Sequence, residues 1–334
     1  MPMEPKALQR LELFAQNAQT VKKEFKWQDA MLKRLAALLY AAEDRVIDLS
    51  AMRECHKLIK KSIGLFSSFR GNSAMTVATL LSLRDDPDGL LKNALKVYDM
   101  MKQARFRASD YLVVAACQIA AGAAEDKYVE TVERARAFYD GMKSDHWFLT
   151  GQDDYIFSAM LGLSDVDVSA GVERMERLFQ SLRPEFHTGI GVQALTQVLV
   201  LGGDGADLET RVLALRDALR SRRMKQLCQA YTLSSLGVLA LLPLDTDEIV
   251  RQLEENSELL RSKKGFGPWS FVAKQELLLL SAGLVALNSV DQMKRGILDT
   301  VLSTSITNII IAQQAAIAAA AAASASAAAS SSSS

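Results

Sequence analysis

The residues of this sequence that could do chemistry sit in short polar stretches, each ahead of a charge-free run. They are Arg70 with Asn72, Ser109 with Asp110, His146 with Trp147, Asp153 with Asp154, His187, and Trp269 within Phe266-Gly-Pro-Trp-Ser270. A carboxylate pair such as Asp153 and Asp154 serves acid-base chemistry or a metal when a histidine such as His146 or His187 joins it. Spacing argues against the metal: a histidine seven residues before the pair fits no ligand motif. No metal or cofactor is expected. Thr150-x-x-Asp153 also has the form of a capping box, and negative charge is favourable in a first helical turn. Arg70, beside Gly71, either satisfies carbonyls at the end of the preceding helix or anchors an anion. No serine-histidine-acid or cysteine-histidine arrangement can be assembled, and neither GxGxxG nor GxxxxGK[ST] is present. The catalytic residues are therefore unknown. The binding candidates are Arg70, Asn72, Asp110, His146, Asp153, Asp154, His187 and Trp269.

The elements that must position these residues are helices. Apolar residues make up 49% of the 334, and only six are proline, a balance suited to packed helices. Charge-free runs alternate with striped ones. Gly71–Leu83, Tyr111–Ala124, Tyr155–Leu163, Gly189–Gly203, Leu227–Leu244 and Leu277–Val290 lack charge. Between them lie single stripes such as Tyr128, Val132, Ala135, Tyr139 and Met142, or Leu208, Val212, Leu215 and Leu219. A helix apolar all round must be covered, whereas a striped one faces water. Each pair thus reads as one inner and one outer helix. Amphipathic residues 4–24 precede the series, and Asp48 and Asp86-Pro87-Asp88 have the chemistry of helix starts.

Counting back twelve residues from Leu83, Leu163 and Leu201 reaches Gly71, Gly151 and Gly189, and the last two follow Phe-x-Thr. The spacings of 80 and 38 residues between those leucines give a period of about 40, that of helical-hairpin arrays. The expected fold is all-α, an array of about six or seven hairpins forming an open solenoid or a closed α/α ring. Residues 1–302 read as one helical-repeat domain. Residues 303–334 read as a terminal helix fading into an Ala/Ser-rich tail. That uncharged end exceeds 20 residues, but alanine contributes little transfer free energy and Gln313-Gln314 interrupts its apolar part, which weighs against membrane insertion.

Lys and Arg (39) balance Asp and Glu (39), so no global field gathers nucleic acid or an anionic membrane. The three scattered cysteines lack CxxC spacing, and the charged N-terminus lacks a signal-peptide core. The expected location is the cytoplasm.

Gly64-Leu-Phe-Ser-Ser-Phe-Arg-Gly-Asn72, Asp145-His-Trp-Phe-Leu-Thr-Gly-Gln-Asp-Asp-Tyr155, Phe266-Gly-Pro-Trp-Ser270 and the Ala/Ser-rich end resemble a bacterial domain-of-unknown-function family, number 4003. The resemblance implies an all-helical cytoplasmic protein and carries over no catalytic residue.

In such an array the loops before the inner helices share one rim. The inner helices aim their positive ends there, which favours an anionic ligand or an acidic peptide. The first expectation is a non-enzymatic binding or scaffold protein holding a protein or acidic peptide at that rim. The alternative is a hydrolase-like enzyme on a closed ring, with Arg70, Asp110, His146, Asp153 and Asp154 at one mouth.

Overall fold

Helix starts in this chain are set by side chains that accept otherwise open backbone donors. Asp48 accepts the N–H groups of Ser50 and Ala51, each at 2.9 Å. Asp86 accepts that of Gly89 at 2.9 Å, with Pro87 in the first turn where no donor is needed. The computed structural model describes residues 3–295 except 26, 27, 65–67, 72, 204, 206 and 271. The expected helix and tail at 303–334 lie outside the described residues.

The described residues form helices α1 (Pro5–Glu24), α2 (Ala30–Ala42), α3 (Leu49–Ser62), α4 (Ala74–Ser82), α5 (Pro87–Gln103), α6 (Asp110–Gly122) and α7 (Tyr128–Asp145). They continue as α8 (Tyr155–Leu163), α9 (Val168–Phe186), α10 (Gly189–Leu201), α11 (Leu208–Ser221), α12 (Leu233–Leu241), α13 (Thr246–Ser262) and α14 (Lys274–Arg295). Short 3-10 turns complete the set, and no strand occurs among the described residues. The protein is all-α. Contacts divide the chain into two compact units. Residues 20–168 form the N-unit; residues 3–19 with 169–295 form the C-unit.

In the N-unit, α2, α4, α6 and α8 lie side by side. Every residue of α4 is buried, and in α8 all but Leu163 are. Their surroundings are therefore protein on all sides. Outer helices α3, α5 and α7 each pack chiefly on the buried helix that follows, so the hairpins run outer to inner. Gly162 shows why α7 pairs forward with α8: a Cβ there would lie 2.7 Å from the Thr131 carbonyl oxygen. The expected α7 stripe of Tyr128, Val132, Ala135, Tyr139 and Met142 is buried in full. In α5, Leu91, Ala94, Val97, Tyr98 and Met101 form the buried stripe.

In the C-unit, α10, α12 and α14 are the buried helices, and α11 and α13 pack on α12 and α14. Helix α1 joins this core through Leu11 and Phe14, both fully buried. The Phe14 and Phe266 rings lie 5.5 Å apart, and buried Arg10 donates to Asn288 Oδ1 at 3.1 Å. The beginning of the chain and its last described hairpin thus share a core. Helix α12 corrects the sequence reading, which runs it from Leu227. Residues 225–228 and 230–232 are 3-10 turns, separated by extended Gln229. Thr232 Oγ1 ties them by donating to the carbonyls of Gln226 and Gln229.

One device recurs in both units. Arg134 of α7 donates to the carbonyls of Gly162, Ser164 and Val166 at the end of α8, at 3.1, 2.7 and 2.7 Å. Arg211 of α11 donates to those of Ala240, Leu242 and Leu244 at the end of α12, at 2.9, 2.6 and 3.0 Å. A buried helix leaves its last carbonyls open, and an arginine from the outer helix closes them.

Candidate functional site

At the opposite, N-terminal ends of the buried helices lie the residues that sequence nominates. Arg70 ends the turn Ser68–Arg70, and its guanidinium bonds to the Lys60 carbonyl in the last turn of α3. Asp110 opens α6 but serves α4, its Oδ1 accepting the Ser73 N–H at 2.9 Å. The neighbouring start belongs to Ser109, which accepts the Leu112 N–H at 3.1 Å. Asn72 lies outside the described residues.

The α8 end corrects the expected capping box. Thr150 does not cap with Asp153; its Oγ1 donates to the carbonyls of Met142 and His146, closing α7. The reciprocal bond is one residue later, where buried Asp154 accepts the Gly151 N–H at 2.8 Å. Asp153 instead keeps an exposed side chain. Protein packed around it nevertheless raises its carboxyl above the ordinary value. His146 caps α7, its N–H donating to Met142. Beneath these residues lies a cluster that sequence reasoning placed only in part. Tyr155 meets Phe106 and Tyr139 edge-on at centroid distances of 4.9 and 5.2 Å, and Arg136 stacks over Phe106 and Tyr139 at 5.4 and 5.3 Å. Burial raises both phenols. The Tyr155 hydroxyl accepts the Arg107 N–H at 3.2 Å, so the cluster holds the preceding loop in place.

In the C-unit, His187 follows α9 with φ +55°, a left-handed conformation that glycine would adopt at less cost. Thr188 then caps α10, accepting the Gly191 N–H at 3.4 Å. Arg105 after α5 and Arg223 after α11 hold the same conformation, at φ +67° and +58°. Trp269 lies in the turn Pro268–Ser270 and is 93% exposed.

The structure therefore brings Asp110 to the α4 start, places Arg70 just ahead of it, and sets His146, Asp153 and Asp154 around the α8 start. His187 and Trp269 belong to the other unit. Much of the polar chemistry is engaged by backbone caps. The feature beyond them that sequence understated is exposed apolar surface: Trp147 (74%) and Phe148 (68%) before α8, Tyr231 (80%) before α12, and Trp269. The Trp-Phe pair was visible as letters, whereas Tyr231 was hidden inside a run read as buried helix. Among the described residues, no group of three His, Cys, Asp or Glu side chains comes together as metal ligands. Nor is any helix among them long and apolar enough to cross a membrane.

A family model described as "Protein of unknown function" (DUF4003) matches residues 17–315. The chain is also similar to the uncharacterized protein YeaA of Bacillus subtilis (strain 168), 24% identical over 187 residues. That alignment covers 54% of this chain and 56% of YeaA, so the chain spans just over half of that relative's length. No solved structure matches the chain.

Proposed function

The chain belongs to this family of unknown function, and we propose that it is a non-enzymatic cytoplasmic helical-repeat protein that holds a protein partner at the loops leading into its buried helices. The carrying observation is that large aromatics are left in water at these loops: Trp147, Phe148, Tyr231 and Trp269. Large aromatic side chains left in water at loops are the residue types that act as anchors in partner surfaces. Two further features support the reading. Arg105, His187 and Arg223 keep side chains at left-handed positions, which costs roughly 1 kcal/mol each relative to glycine. Of the five groups in the enzyme alternative, Arg70, Asp110 and Asp154 already make backbone bonds to Lys60, Ser73 and Gly151. The arginine device at the ends of α8 and α12 supports the repeat itself.

The test is photo-crosslinking in cells from positions 147 and 269, with exposed positions on the outer faces of α5 and α13 as controls. A reproducible partner captured only from the loop positions is the expected outcome. Equal, promiscuous capture from both sets would overturn the reading.

A further inference from the structure

We infer that the C-unit loops before α12 and α14 form one basic, aromatic surface whose partner is an acidic segment of another protein. This assignment rests on the binding reading above and names the partner's chemistry. Arg220, Arg222, Arg223 and Lys225 lead into α12, with no acidic residue between Asp217 and Asp245. Arg261, Lys263, Lys264 and Lys274 lead into α14, with none between Glu258 and Glu276. The two stretches are tied together: Lys274 Nζ donates to the Arg223 carbonyl at 2.7 Å.

Acidic neighbours neutralise only part of this charge. Glu254 pairs with Arg222 and Glu12 with Lys263, whereas Asp217 is held by Arg216, outside these stretches. Arg220, Arg223, Lys225 and Lys264 are exposed and form no ion pair among the described residues. Tyr231 and Trp269 stand at 80% and 93% exposure on the same two lead-ins. Four unmatched cations beside two projecting rings form a surface complementary to carboxylates interleaved with apolar side chains. A nucleic acid or an anionic membrane would draw on the same groups. Both are polyanions that respond to net field, and Lys plus Arg equals Asp plus Glu here at 39 each. Here the unmatched cations lie on two adjacent loops joined by the Lys274–Arg223 bond, an extent that fits a short segment.

The test is fluorescence anisotropy on the full chain with three labelled probes: a peptide alternating glutamate and tyrosine, its lysine counterpart, and an oligothymidylate. Co-sedimentation with phosphatidylglycerol vesicles is run beside it. The acidic peptide should bind, weaken as salt is raised, and lose at least about tenfold in affinity with Arg223→Glu, Lys225→Glu and Lys264→Glu combined. Tyr231→Ala with Trp269→Ala should lose about as much at unchanged charge. Asp145→Lys with Asp153→Lys, in the N-unit, should not weaken it. If the charge variant unfolds, the salt series and the aromatic variant decide. Stronger binding to the oligonucleotide or vesicles, or equal affinity in every variant, overturns the assignment. If the acidic peptide fails while crosslinking from position 269 still captures a partner, the acidic assignment falls and the binding reading stands; if both fail, both fall.

Discussion

The loop before α8 and the loops before α12 and α14 do the same mechanical work with opposite charge. Residues 144–173 contain no Lys or Arg and carry Asp145, Asp153 and Asp154, with Trp147 and Phe148 in water. Residues 218–244 and 259–275 contain no Asp or Glu and expose Tyr231 and Trp269. In both regions a few groups satisfy the helix start: Asp154 for Gly151, and Thr232 Oγ1 for the Gln229 N–H at 3.3 Å. Beyond those bonds, Trp147, Phe148, Asp153, Tyr231 and Trp269 keep exposed side chains. On the proposed binding reading, the two differently charged regions would suit chemically different partner segments.

The comparison can be broken first at what the regions share. Arg134→Ala and Arg211→Ala each leave three carbonyls open, and each should cost about 2–4 kcal/mol of unfolding free energy in urea. A large loss at one and none at the other would end the parallel. Within the α8 region, Asp154→Ala should cost about 1–2 kcal/mol by removing the bond to Gly151. Asp153→Ala should stay within about 0.5 kcal/mol, as expected of an exposed side chain. Similar losses at both positions would mean that the capping was misassigned. In the C-unit, Arg223→Gly relieves the left-handed strain. It should leave stability equal or raise it by up to ~1 kcal/mol while weakening the acidic peptide.

The smallest effect is a pH dependence. The Asp153 carboxyl is raised in the folded state, so protonation favours folding. That contribution is complete below the ordinary carboxylate value and is lost as pH rises through the raised one. Relative to Asp153→Asn, the wild type should therefore lose roughly a few tenths of a kcal/mol by neutral pH, small because the side chain is open to screening. Urea titrations of both proteins across the acidic range would check the sign.

Much of the architecture was legible because it rests on periodic burial. The stripes of α7 and α11, the caps Asp48 and Asp86, and the buried α4 and α8 follow from residue type and spacing. The start of α12 was not legible, because Leu227 is buried in a 3-10 turn and a run of letters cannot distinguish that from a helix. Arg134 and Arg211 were missed for a different reason. Each reaches carbonyls about 30 residues downstream, and only the fold brings those within range. At the candidate site, sequence located the loops but assigned the bonds imperfectly: Asp153 and Asp154 are adjacent carboxylates, and backbone geometry decides which one caps.

The most direct test of the central claim is native mass spectrometry of the protein purified gently from its own cells, beside the Trp147→Ala/Phe148→Ala and Tyr231→Ala/Trp269→Ala variants. The account predicts a protein partner in stoichiometric amount, lost from at least one variant while the fold is kept. A bound small molecule in place of any protein partner, retained in both variants, would contradict it.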